Sequence, residues 1–217
     1  MQFDQSAHPS LTTEQWNLLA QAAQDKAQLA ELFNQHRDRL KRIVSSCLDQ
    51  RVQGRLDASD VLQETFIEAY GRVHEYLAEP KVSLFVWLRF LAKQRLAMMH
   101  RQHLSVQARD VRRDRPLLWD DENRRSSVLL ATQLAARLTT ASATLSRKEL
   151  RLQIQDALNK LDEKSREVLL LRHFEQLSNV ETAEVLAISS TAACNRYVRA
   201  LERLKLLLKA PEAADPC

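Results

Sequence analysis

The chain has 217 residues, 45% hydrophobic and 28% charged, with a formal net charge of +4 and only two glycines, Gly54 and Gly71. That length suits one large domain or two small ones. Leu, Ala, Gln, Glu and Arg dominate and turn-forming residues are scarce, which excludes a hairpin-rich β architecture and predicts an all-α one.

No apolar run is long enough to span a bilayer, so no membrane insertion is expected. The first residues, "MQFDQSAHPSLTTEQW", lack the basic start and apolar core of a secretory signal. Cys47, Cys194 and Cys217 are widely spaced with no CxxC, which suits a reducing, cytoplasmic setting. The histidines are scattered, and His100 and His103 at i, i+3 fall short of a metal ligand set. Nothing resembles a nucleophile–base pair, so no catalytic residue, metal or cofactor is expected.

Charge is distributed unevenly. Residues 81–115 hold nine basic residues against Asp110 and Asp114, a local +7 that leaves −3 for the rest of the chain. Such a block suits a polyanionic partner; it equally suits a solvated helix face followed by a charged linker.

In chain order, a first domain is expected over 11–103. Apolar residues at 29, 32, 33, 40, 43, 44 and 48 predict one helix. A second, 57–77, starts with Asp57 or Ser59 as N-cap and places Leu62, Phe66, Ala69, Val73 and Leu77 on its core stripe. Pro80 breaks the chain. A third helix, 83–104, starts at Ser83 and buries Leu84, Trp87 or Leu88, Leu91 and Met98, with Arg89, Lys93 and His100 on another stripe. Residues 104–145 read as a flexible linker carrying a loose helix at 127–138. A second domain spans 146–209. Ser146 and Glu149 form a capping box, helices follow at 162–177, 179–186 and 190–208, and the tail 210–217 is disordered.

The stretch "SNVETAEVLAISSTAACNRYVRALERL" (178–204) joins a short helix to a longer one through the turn "AIS". In the longer helix Ala193, Tyr197, Ala200, Leu201 and Leu204 form one core stripe. This is the helix-turn-helix pattern. The other face carries Thr191, Ala192, Asn195, Arg196, Arg199 and Arg203, side chains suited to base edges: Arg to guanine, Asn to adenine, Thr or Ala to a thymine methyl. An ordinary helical hairpin with a basic outer face has the same pattern.

Two segments widen the context. "LNKLDEKSREVLLLRHFEQLSNVETAEVLAISSTAACNRYVRALERLK" (158–205) resembles region 4 of bacterial sigma-70 family RNA polymerase sigma factors of the extracytoplasmic-function type. "DASDVLQETFIEAY" and "VSLFVWLRFLAKQRLAMMHR" resemble region 2 of the same family. The resemblance implies two small helical domains that bind core RNA polymerase and promoter DNA, recognise the −35 and −10 elements and melt the DNA. It places Asp60, Leu62, Gln63, Glu64 and Phe66 on the β′ coiled coil of the polymerase. Asp60, Gln63 and Glu64 also share one helix face by spacing.

For −10 DNA the resemblance implies Tyr76 and Lys81 near a flipped base, and Arg89, Lys93, Gln94, Arg95 and Arg101 along the third helix. Gln94 stands where the family usually has Asn, and Met98 where it has Asp. At the −35 element it implies Ser190, Thr191, Asn195, Arg196, Arg199 and Arg203. Ala187 replaces the usual turn glycine, which predicts a modest backbone cost if that residue is left-handed. An anti-sigma factor is among the partners implied. The acidic "WDDEN" (119–123) either lies in a basic channel of the polymerase or stays solvated. A rival reading of the residues is a helix-turn-helix regulator with a helical N-terminal sensing domain.

Overall fold

The computed structural model describes residues 25–48, 56–105, 127–135 and 144–209, and every regular element among them is helical. The chain divides into two compact units, Met1–Arg115 and Pro116–Cys217. The expectations for 11–24, for the rest of the 104–145 stretch including 119–123, and for the tail 210–217 fall outside the described residues.

In the first unit, α1 (Lys26–Cys47), α2 (Ala58–Ala78) and α3 (Leu84–Ser105) pack mutually. Asp25 starts α1 by accepting the Ala27 N–H at 2.9 Å. Asp57 precedes α2, and the Asp60 carboxylate accepts the Asp57 N–H at 3.1 Å. This occupies one of the donors that a helix start leaves orphaned. Leu29, Leu32, Leu40 and Ile43 of α1 are buried with Leu62, Ala69, Val73 and Leu77 of α2. Each large aliphatic side chain so buried contributes about 1.5–3 kcal/mol.

The α3 stripe differs from expectation. Leu84, Leu88 and Leu91 are buried, but so are Phe85, Val86, Ala92, Leu96 and His100, while Met98 is 37% exposed. Apolar residues surround most of this helix, so periodicity alone does not choose its buried face.

The second unit contains α4 (127–135), α5 (Thr144–Lys160), α6 (Glu163–Leu169), α7 (Asn179–Leu186) and α8 (Ser190–Lys209). Leu130, Ala131 and Ala135 of α4 belong to one core with Ile154, Leu158, Leu169, Phe174, Ala200 and Leu204. The helix expected to be loose is therefore docked. Its two turns are too short for a strong periodic signal, and burial of three apolar positions holds it. Ser146 lies inside α5, not before it. A residue with helical backbone is not the N-cap of the helix it belongs to, so α5 does not start at Ser146 as expected.

Residues 162–177 do not form one uniform helix. Past α6 the chain makes a π-helical turn, Leu170–Phe174, and stops at Gln176, whose φ is 57°. The inserted residue of a π turn re-aims the chain beyond it. Asp162 caps α6, accepting the Ser165 N–H at 3.0 Å and its hydroxyl at 2.7 Å. Arg166 reaches back to donate to the carbonyls of Leu158 at 3.1 Å and Leu161 at 3.0 Å, satisfying acceptors left over at the end of α5.

Candidate nucleic-acid and polymerase interfaces

The helix-turn-helix is set by four local devices. At the start of α7, the Ser178 hydroxyl accepts the Glu181 N–H at 3.1 Å and the Glu181 carboxylate accepts the Ser178 N–H at 2.7 Å, a reciprocal capping box. At its end Ala187 sits in the left-handed region, φ 51° and ψ 44°, and the Ile188 N–H returns to the Ala183 carbonyl at 3.0 Å. Ser189 then opens α8 by accepting the Ala192 N–H at 3.1 Å. Across the turn, the Asn179 side-chain amide donates to the Ser190 carbonyl at 2.8 Å, tying the two helix starts together.

Helix α8 is held from behind by Ala193, Ala200 and Leu204, all buried. The small alanines let the supporting helices approach closely. Tyr197 and His173 share a hydrogen bond of 3.0 Å, and the Arg172 guanidinium lies 5.3 Å from the Tyr197 ring. The same Arg172 donates to the Leu177 carbonyl at 2.6 Å. The π turn thus places two consecutive side chains, Arg172 and His173, against one aromatic residue of α8. Sequence spacing did not show this, because an ideal α-helix turns consecutive residues about 100° apart.

The outer face of α8 leaves Ser190, Thr191, Asn195, Arg199 and Arg203 exposed, while Arg196 is half-buried on its flank. Arg203 helps to hold the Asp162 carboxyl below its ordinary value, after the Ser165 hydroxyl and backbone N–H, which are the larger causes. Val198 is 45% exposed on the same side and was not among the expected contacts. An apolar residue off the core stripe was its signal in the sequence.

In the first unit, Gln63 and Glu64 are exposed, and Asp60 is exposed with one oxygen used at the helix start. Leu62 needs correction as a direct contact, and Phe66 is only partly available. Leu62 is only 2% exposed and belongs to the core, and Phe66 is half-buried with its ring edge-on to Phe33 at 5.3 Å. They instead line a groove between α1 and α2, whose other walls are Ala30, Phe33, Asn34, Arg37, Ser59, Gln63 and Ile67. Ile67 is 61% exposed at its edge. The α1 wall was missed because the sequence does not say which helix lies beside α2.

Two of the expected −10 residues are also corrected. Tyr76 is 5% exposed, its ring is stacked on Trp87 at 4.6 Å, and its hydroxyl donates to the Val82 carbonyl at 2.9 Å. A ring so enclosed cannot accept a base. It pins the 79–83 turn to α2. Arg95 bonds the Glu68 carboxylate at 2.7 Å, with both side chains largely buried, so it bridges α2 and α3 and does not reach outward. Glu68 also pairs with Arg72 at 3.1 Å. Lys81 is exposed and pairs with Glu79 at 3.2 Å. Gln94 and Arg101 are exposed, and Arg89 and Lys93 half-buried.

The model for "Sigma-70 region 2" matches residues 32–105 and that for "Sigma-70, region 4" matches 151–204, so together they cover more than half of the chain. The chain is a sigma-70 family sigma factor of the extracytoplasmic-function type. Among its relatives, RNA polymerase sigma factor NccH of Alcaligenes xylosoxydans xylosoxydans is 28% identical over 158 residues, 72% of this chain and 75% of that protein. RNA polymerase sigma factor CnrH of Cupriavidus metallidurans is 29% identical over 164 residues, 71% of this chain and 74% of that one. A solved structure of CnrH in complex with the cytosolic domain of CnrY aligns with a TM-score of 0.48 and 25% identity, covering 89% of this chain and 96% of that one. This sigma factor binds core RNA polymerase and promoter DNA and recognises promoters in transcription initiation. Among the described residues, no helix is long and apolar enough to cross a membrane.

Proposed function

We propose that α8 reads the −35 element through Ser190, Thr191, Asn195, Arg199 and Arg203, with Arg196 on its flank. The observation that carries this is the exposed Asn195–Arg199 pair, one turn apart on a helix whose start and back are fixed by side-chain hydrogen bonds and buried alanines. A rigid helix with one amide and one guanidinium on its outer face can meet adjacent base edges in a major groove. The hydroxyls of Ser190 and Thr191, at the start of the helix, suit phosphate oxygens.

Helix α2 then presents Asp60, Gln63 and Glu64 to the polymerase β′ coiled coil, beside the α1–α2 groove. Helix α3 presents Arg89, Lys93, Gln94 and Arg101 to −10 DNA, with Lys81 at its entrance. The domains run over 11–103 and 146–209, the second extended by α4 to begin at 127. The protein works in the cytoplasm, where its polymerase is, and the family reading adds an anti-sigma factor as regulator; a small protein should co-purify with the chain from its native cells.

The test is run-off transcription on genomic fragments with core polymerase. Wild type should start transcripts at a discrete promoter set. Arg196→Ala with Arg199→Ala should lose them while still binding the core enzyme. Unchanged promoter choice and strength in that variant would refute the assignment of α8.

A further inference from the structure

Helix α8 is tied to its support by hydrogen bonds at two points. At its start, the Asn179 amide donates to the Ser190 carbonyl at 2.8 Å. Seven residues further on, Tyr197 shares a hydrogen bond of 3.0 Å with His173. The two points lie about 10 Å apart along the helix axis. The buried contacts of α8, through Ala193, Ala200 and Leu204, are apolar. Such contacts set the distance between helices but have no direction, so they oppose a roll of α8 about its own axis only weakly. A bond at the helix start alone leaves a pivot. The bond at Tyr197, two turns on, removes it.

Roll matters at the outer face. With side chains an α-helix has a radius of about 5–6 Å, so a roll of about 20° moves its outer tips by about 2 Å. Good hydrogen-bond lengths span only about 0.5 Å, so a shift of that size breaks a base contact. Tyr197 stands two residues from Asn195 and two from Arg199, so the rotation set at Tyr197 reaches both.

Tyr197 is itself well held. It is half-buried against the core of the second unit. The Arg172 guanidinium lies 5.3 Å from its ring and donates to the Leu177 carbonyl at 2.6 Å, next to the Ser178 cap of α7. Arg172 and His173 are consecutive, and the π turn brings both to this one ring. Turns of this kind recur at functional sites. Neither His173 nor Tyr197 is among the side chains assigned above to DNA.

We propose that His173, acting through Tyr197, is a positioning residue for −35 recognition: their hydrogen bond fixes the roll of α8, and so which base edges Asn195 and Arg199 meet. This rests on α8 reading the −35 element.

The experiment uses holoenzyme assembled from core polymerase and the full chain, well below the thermal midpoint of every variant. The probes are two fluorescein-labelled promoter duplexes. One is a promoter mapped by run-off transcription with wild type; the other is identical except for a scrambled −35 element. The readout is the ratio of the two affinities. His173→Leu and Tyr197→Phe should each reduce that ratio about five- to a hundredfold, the range for one misplaced base contact. Affinity for the scrambled duplex should stay within about twofold of wild type, because phosphate contacts carry no sequence information. The double variant should lose no more than either single one, since either change ends the same bond. His173→Gln keeps a polar group at similar reach and should return the ratio to within about threefold of wild type. A lowered thermal midpoint with an unchanged ratio would make the bond purely structural and overturn the proposal. Equal weakening on both duplexes, additive losses in the double variant, or no rescue by His173→Gln would overturn it as well. Arg199→Ala separates the positioning role from the helix it acts on. If it reduces the ratio and His173→Leu does not, the positioning role is wrong and α8 still reads the −35 element. If neither reduces it, both are wrong.

Discussion

Ala187→Gly should stabilise the second unit. The residue ends α7 in the left-handed region, φ 51°, where the methyl group crowds the following carbonyl oxygen. A non-glycine residue there costs about 1–2 kcal/mol. Glycine removes that cost but adds freedom to the unfolded chain, which takes back about 0.5–1 kcal/mol. The Ala187 side chain is exposed, so no burial is lost. The expected net gain is about 0.5–1 kcal/mol, or roughly 2–8 °C in the melting midpoint of a unit of this size. Ala187→Val makes the opposite case, since a β-branched residue tolerates positive φ worst, and it should lose about 1 kcal/mol or more. Amide hydrogen exchange over residues 183–204 of the full chain isolates the effect to this unit. Slower exchange in the glycine variant and faster exchange in the valine variant are expected, with promoter choice unaltered. If glycine leaves the exchange unchanged or speeds it, backbone strain at Ala187 is refuted.

Gly71→Ala, in the interior of α2, should stabilise the first unit by about 0.5–1 kcal/mol by thermal unfolding, because a Cβ built there meets nothing within 4 Å. Glu68→Gln should lower stability by about 1–3 kcal/mol, since it leaves the largely buried Arg95 without its carboxylate. Correspondingly, Arg95→Ala should leave the slope of log affinity against log salt for promoter DNA unchanged, whereas Arg101→Ala should reduce it by about 0.9; equal slopes for the two would refute the bridging role. Ser165→Ala tests Asp162, whose carboxyl lies below its ordinary value of 3.8, chiefly through the Ser165 hydroxyl. A depressed folded-state pKa adds stability that is present above 3.8 and is lost as pH falls through the folded value. The variant should therefore be less stable than wild type in chemical unfolding near neutrality, and the gap should close on acidification below about pH 4.

Sequence by itself determined the helices, the helix-turn-helix and the family. Leu, Ala and Glu favour helix, and the stripe at 193, 197, 200 and 204 recurs at helical spacing. These are local effects, settled within one or two turns. The exposed outer face of α8 was legible for the same reason. Tertiary structure decided what depends on a neighbour. Tyr76 looked available to a base until Trp87 covered it, and Arg95 looked available to a phosphate until Glu68, twenty-seven residues earlier, took it. Leu130, Ala131 and Ala135 joined a core that no short-range pattern announces. Helical periodicity says which side chains travel together around a helix. Which side is buried is set by the apolar area that another helix can cover, and that is a property of the fold.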